Sequence, residues 1–166
     1  MKKLLLVLIL IPFLQAVKAQ EEIVKWTFST GQLGDTVQNG TNALNLTRTI
    51  RVEGAGPITM TNGQTSGDYA CTATNWDNGT DSKNWNIKFK TTGYNQVKIS
   101  SKQRAGGNNG GPEDFKLQYK IGNPGNWIDI PGGEVTLAND WITGVVDNLD
   151  LPAECQNQSN SVYIRW

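Results

Sequence analysis

Between residues 102 and 130 the chain reads KQRAGGNNGGPEDFKLQYKIGNPGNWIDI, and the second half of this stretch constrains the fold more than any other. Phe115, Leu117, Tyr119 and Ile121 alternate with Lys116, Gln118 and Lys120. An extended segment places the first set on one face and the second on the other, whereas a helix would scatter them around its circumference. Gly122 to Asn126 supply a turn, and residues 127–130 supply a return strand. The spacing predicts a β-hairpin with one buried face. Ahead of it, residues 106–112 form a glycine- and asparagine-rich connection of the kind that carries ligand contacts in many sandwich proteins.

The same alternation recurs along the chain. Val24, Trp26 and Phe28 share one face of a first strand over residues 23–28. Further strands are expected over 46–52, 58–61 and 69–74, and then at Trp85, Ile87 and Phe89. Tyr94, Val97 and Ile99 change register, which predicts a bulge or a late strand start. Val135 and Leu137 begin another strand, residues 141–151 form one that stops at Pro152, and residues 161–166 form the last. No long run beyond residue 19 has helical periodicity. Short strands separated by Gly, Asn and Pro turns predict an all-β protein, a β-sandwich of jelly-roll type, as one domain over residues 20–166.

The start of the chain predicts its compartment. Lys2 and Lys3 precede an apolar run over residues 4–14, and Val17-Lys18-Ala19 fits a cleavage site, so residues 1–19 read as a signal peptide. The run is short for a membrane span. The expectation is an exported protein, secreted or at the cell surface, with no membrane contact once the leader is removed. Fifteen basic and fifteen acidic residues give a formal net charge of zero. Lys2, Lys3 and Lys18 leave with the leader, so the mature chain is mildly acidic, which argues against a nucleic-acid partner.

In an oxidising compartment the two cysteines, Cys71 and Cys155, predict a single disulfide, with two buried free thiols as the alternative. Such a bridge would contribute about 4 kcal/mol by restricting the unfolded chain. The chain has no histidine, which removes Ser-His-Asp and Cys-His machinery, and two cysteines do not complete a zinc shell. Glu113 and Asp114 are adjacent, and adjacent strand residues point to opposite faces. These features predict a non-catalytic protein without a cofactor, calcium excepted.

Candidate binding residues are few. Trp85 and Trp127 fall on alternating strands and are expected in the core, while Trp76 lies in a polar loop and suits either packing or a sugar platform. Trp76, Arg104, Asn108, Asn109 and Asp114 are the candidate ligand-binding set, an aromatic ring beside a hydrogen-bonding loop. Asp77 and Asp81, with the carbonyls between them, are a candidate calcium site whose alternative is an ordinary polar turn. Asn39, Asn45, Asn78 and Asn157 each head an N-x-S/T sequon, read as incidental.

From Trp76 to Trp166 the motifs NWDNGTDSKNWNIKFKTTGYNQVKISSKQRAGG, GPEDFKLQYKIG, NWIDIPGG, LPAEC and VYIRW follow in order. This portion resembles a β-sandwich module of exported bacterial proteins and is similar to carbohydrate-binding jelly rolls. The resemblance implies a non-catalytic unit that binds glycan, including polysaccharide at a cell surface, or mediates attachment. It also implies an alternative, an accessory domain of a larger secreted nuclease or phosphoesterase, with further domains of the parent protein downstream. Such modules continue past the IRW strand, so the sequence predicts a truncated sandwich that lacks its last strand and exposes an apolar edge.

Overall fold

The last strand in sequence occupies the middle of the main sheet. A computed structural model describes residues 20–106 and 111–166. Among them are nine strands: β1 (Arg51–Glu53), β2 (Thr59–Asn62), β3 (Tyr69–Thr72), β4 (Asn84–Phe89), β5 (Lys98–Gln103), β6 (Asp114–Ile121), β7 (Ile128–Thr136), β8 (Gly144–Asp150) and β9 (Val162–Arg165). Two single-turn 3-10 segments, Leu33–Thr36 and Ala153–Cys155, complete the regular structure of these residues. The protein is therefore all-β, as the alternation predicts. The signal-peptide expectation falls on residues 1–19, outside the described residues.

Strands β1-β4-β9-β6-β7 form one sheet in that order, and every neighbouring pair is antiparallel. Val162 and Ile164 of β9 have no solvent exposure, and the ladder extends one residue further through reciprocal backbone hydrogen bonds between Trp166 and Trp85. The sequence argument for an exposed terminal edge is corrected here. β9 donates and accepts on both sides, and the edges of the sheet are β1 and β7.

Strands β5 and β8 pair as a separate two-stranded ribbon, and β2 and β3 as another. Ile99, Val146 and Leu149 of the β5–β8 ribbon lean on the cluster that holds Ile87, Phe89, Leu117, Tyr119, Ile130, Val162 and Ile164 of the main sheet. Core packing of this kind contributes about 1.5–3 kcal/mol per fully buried aliphatic side chain.

β7 shows how local chemistry shapes the sheet. Lys116 pairs with Glu134 but Gln118 pairs with Asp129, so Pro131-Gly132-Gly133 are absorbed as an irregularity. Proline is tolerated there because it has no ladder hydrogen bond to make, and Gly132 adopts a φ of +72°. Val135 therefore continues β7 rather than opening a separate strand. The register change ahead of β5 resolves as a late start: Gln96 has a φ of +56°, and the strand begins at Lys98. The expected first strand over residues 23–28 joins no ladder. Its alternation survives as burial, with Ile23, Val24, Trp26 and Phe28 packed on the core, but Phe28 at φ +51° leaves the extended region. Its hydrogen bonds are scattered: Trp26 Nε1 donates to the Thr36 carbonyl (2.9 Å), and Asn39 N–H donates to the Lys25 carbonyl (2.8 Å).

The cysteines are not paired, which corrects the disulfide expectation. Cys71 lies in β3 opposite Met60 of the β2–β3 ribbon, whereas Cys155 is fully buried in the 3-10 turn after β8. Cys155 is fixed by its own surroundings, because its carbonyl accepts the Thr91 hydroxyl (2.6 Å). Burial pushes both thiols up to about 12. At neutral pH they are protonated and act as small apolar groups. Intact-mass measurement should show two alkyl groups added to the unreduced protein in denaturant. Native protein should react far more slowly.

Asn45, one of the sequon residues, is fully buried and ties the amino-terminal segment to the sheet. Its side-chain oxygen accepts the Lys90 N–H (2.8 Å), and its amide donates to the carbonyls of Lys90 (3.0 Å) and Ile23 (3.4 Å). Asn45→Ala would leave those backbone groups unsatisfied. Chemical denaturation should show a loss of about 2–4 kcal/mol, and Asn39→Ala on the surface should cost much less.

Candidate ligand-binding face

The pairing registers place polar side chains in rows across the sheet face that points away from the core. Arg51, Asn86, Arg165, Gln118 and Asp129 stand opposite one another in succession across all five strands. One row over, Lys88, Tyr163 and Lys120 are neighbours across β4, β9 and β6. Directly paired cross-strand residues lie about 4.5–5.5 Å apart at their β-carbons, so these side chains interact along each row.

Trp127, just ahead of β7, sits on this face. The Arg165 guanidinium carbon lies 4.5 Å from its ring centroid and the Lys120 ammonium 4.8 Å, while Lys120 is also 5.0 Å from the Tyr163 ring. Aromatic faces attract such cations through the ring quadrupole. Arg165 is held in turn, since its Nε donates to Gln118 Oε1 (2.7 Å) and the Gln118 amide donates to Asp129. Lys116 pairs with the same carboxylate at 3.1 Å. Gln118 is buried, so its two hydrogen bonds fix the orientation of the whole relay.

Beside this relay is a cleft of about 220 Å³. β1 and the residues just before it contribute Thr49, Arg51 and Glu53, and β4 contributes Asn86 and Lys88. Lys120, Asn123, Trp127 and Tyr163 close the other side. The cleft thus spans both halves of the sheet. It combines two aromatic rings, three cations, one carboxylate and several neutral hydrogen-bonding groups.

Of the ligand-binding set singled out in the sequence, the structure describes Trp76, Arg104 and Asp114. Trp76 is half-buried and donates its Nε1 hydrogen to the Ala73 carbonyl (2.8 Å). Its ring packs on Trp85 (5.9 Å between centroids) and edge-on against Phe115 (5.8 Å), which is packing at the core margin rather than an open platform. Arg104 is exposed and lies 5.1 Å from the Trp141 ring, beyond the end of β5. Asp114 accepts the Thr136 hydroxyl (3.2 Å) on the opposite face of β6 from Phe115. Asn108 and Asn109 lie outside the described residues.

Beside the candidate calcium loop, a lysine takes one of its carbonyls. Lys83 Nζ donates to the carbonyls of Asn75 and Asp77, both at 2.6 Å. An ammonium therefore lies at the Asp77 carbonyl, and the Asp77 and Asp81 residues are both exposed. Among the described residues no group of three or more carboxylate or thiol side chains stands close enough to hold a metal.

Sequence reasoning missed the outer face because its members come from distant strands, and it assigned Trp127 to the core. The one legible signal was the polar half of the β6 alternation, Lys116-Gln118-Lys120, which is the floor of this face.

The Asp129 carboxyl lies below the ordinary range, because first the Gln118 amide and then the Lys116 ammonium bind its charged form. With the folded value depressed, the contribution of the relay is present above the unfolded carboxylate value of about 3.9 and is lost as pH falls through the lower folded one. A carboxyl-carbon NMR titration should place the Asp129 midpoint below that value, with the Trp127 indole signal moving over the same interval. Gln118→Ala should return the midpoint toward the ordinary range.

No family model matches this chain, and no curated protein or solved structure matches it either.

Proposed function

We propose that this chain is an exported, non-catalytic β-sandwich module of jelly-roll kind that binds a glycan on the outer face of its five-stranded sheet. The observation that carries the reading is the cleft itself. Trp127 and Tyr163 bring aromatic surface beside Arg51, Asn86, Lys88, Asn123 and Lys120 on a rigid sheet. Sugars present hydroxyls around their rims and apolar C–H surface on their faces, so a binding face needs donors and acceptors flanking an aromatic ring. A site built on strands holds these groups more accurately than a loop does.

The apolar contribution is modest because cations already lie against the Trp127 and Tyr163 rings. Hydrogen bonds and charge supply much of the recognition. Few contacts in a small open cleft give weak binding, on the order of micromolar to millimolar. Attachment of a parent protein to a polysaccharide needs no more, because a tethered catalytic or surface domain benefits from a raised local concentration.

The test is affinity electrophoresis or a glycan array with the mature chain, followed by Trp127→Ala and Tyr163→Phe. Trp127→Ala should weaken binding about tenfold, with circular dichroism and melting temperature near wild type. Trp76→Ala should destabilise the fold without a separate loss of affinity per folded molecule. A screen in which no polysaccharide binds would reject the reading.

A further inference from the structure

The cations of the cleft point to a narrower class of ligand. Arg51, Lys88 and Lys120 line it, and Glu53 is the single carboxylate. The chain as a whole is balanced, with fifteen residues of each sign. This local excess is therefore a property of the face and not of the composition. Each of the three cations also lacks a carboxylate partner among the described residues, where the ion pairs are Lys25–Glu22, Lys98–Asp150 and Lys116–Asp129. Arg51 spends its Nε on Thr49 Oγ1 (3.1 Å), and Lys120 rests against aromatic rings.

Like charges gathered on one sheet face repel one another, and Glu53 offsets only part of that repulsion. An anion placed between them removes the repulsion and gains charge-assisted hydrogen bonds. We propose that the ligand is an anionic polysaccharide, a chain of sugars bearing carboxylate or sulfate groups. Its acidic groups lie toward Arg51, Lys88 and Lys120, and its hydroxyls toward Asn86, Asn123 and Thr49. The proposal rests on the glycan-binding reading of the cleft. A nucleic acid is less well served, because its backbone needs an extended run of cations, and here three stand among neutral groups on a chain without net positive charge.

The experiment compares polygalacturonate and dextran sulfate with neutral galactan and dextran, and with a single-stranded DNA oligonucleotide. Mature wild-type protein is used throughout, titrated at low and high salt. The expected result is binding to at least one acidic polymer at least tenfold tighter than to either neutral one, weakening as salt rises. Preference for polygalacturonate identifies carboxylate as the recognised group, and preference for dextran sulfate identifies sulfate. Arg51→Gln and Lys88→Gln should each weaken that binding about three- to fivefold, the size of an exposed ion pair. Lys102→Gln, a cation outside the cleft, should leave it unchanged.

Neutral galactan or dextran bound as tightly as the acidic polymers would overturn the anionic assignment and leave glycan binding standing. Lys102→Gln weakening the binding as much as Lys88→Gln would also overturn it, since diffuse charge would then account for the affinity. Failure of every polysaccharide would reject both readings. DNA bound more tightly than either acidic polymer, and weakened by Arg51→Gln, would replace the polysaccharide with a nucleic acid.

Discussion

The main sheet depends on one strand that belongs to neither of its halves. β1 pairs only with β4, and β7 only with β6, while β9 lies between the two hairpin-like pairs and hydrogen-bonds to both. Among the described residues no other strand bridges them. Without residues 162–166, β4 and β6 would each present a row of unsatisfied backbone groups beside a buried apolar surface. Each such group, once buried, costs about 1–3 kcal/mol. Val162 and Ile164 add the apolar half of the same junction, since both are fully buried in the core cluster. Backbone pairing and core packing thus converge on the same few residues.

The outer face inherits this dependence. Arg51, Asn86 and Lys88 stand on one half of the sheet, and Lys120 and Trp127 on the other. Tyr163 and Arg165 of β9 fill the space between them, one against Lys120 and the other against Trp127 and Gln118. The cleft and the relay from Asp129 to Trp127 are consequences of the pairing order. The polar row on one side of β9 and the apolar row on the other come from a single alternation, Val162-Tyr163-Ile164-Arg165.

That alternation explains what the sequence made legible. β4, β6 and β9 could be read directly, because each has one face buried and one exposed. The all-β class followed from the same pattern. The amino-terminal segment carried an equally clear alternation at Val24, Trp26 and Phe28, yet it buries those side chains without joining a sheet, since periodicity reports burial and not pairing. Trp127 was misplaced for a related reason. Its neighbours Ile128 and Ile130 suggest a core strand, but its ring is directed by Lys120 and Arg165. The disulfide expectation rested on compartment and count, and neither specifies where two cysteines come to lie. In the loop after β3, Asp77, Asp81 and the carbonyls between them offered oxygens to a metal, and Lys83, a few positions on, takes the Asp77 carbonyl. Spacing alone could not show that a neighbouring side chain binds one of these oxygens.

The central position of β9 also sets an order of events during synthesis. Chains emerge from the amino terminus, and most small domains begin to organise as soon as a contiguous unit is available. Here the hairpin of β6 and β7 and the ribbon of β5 and β8 can form from what has already been made. The sheet itself cannot close until residues 162–166 have been added, because the strand that joins its halves follows all the other described strands in sequence. Long-range closure of this kind is slow compared with local pairing. The nascent chain therefore stays open along its central seam until that strand arrives, with the inner edges of β4 and β6 unpaired.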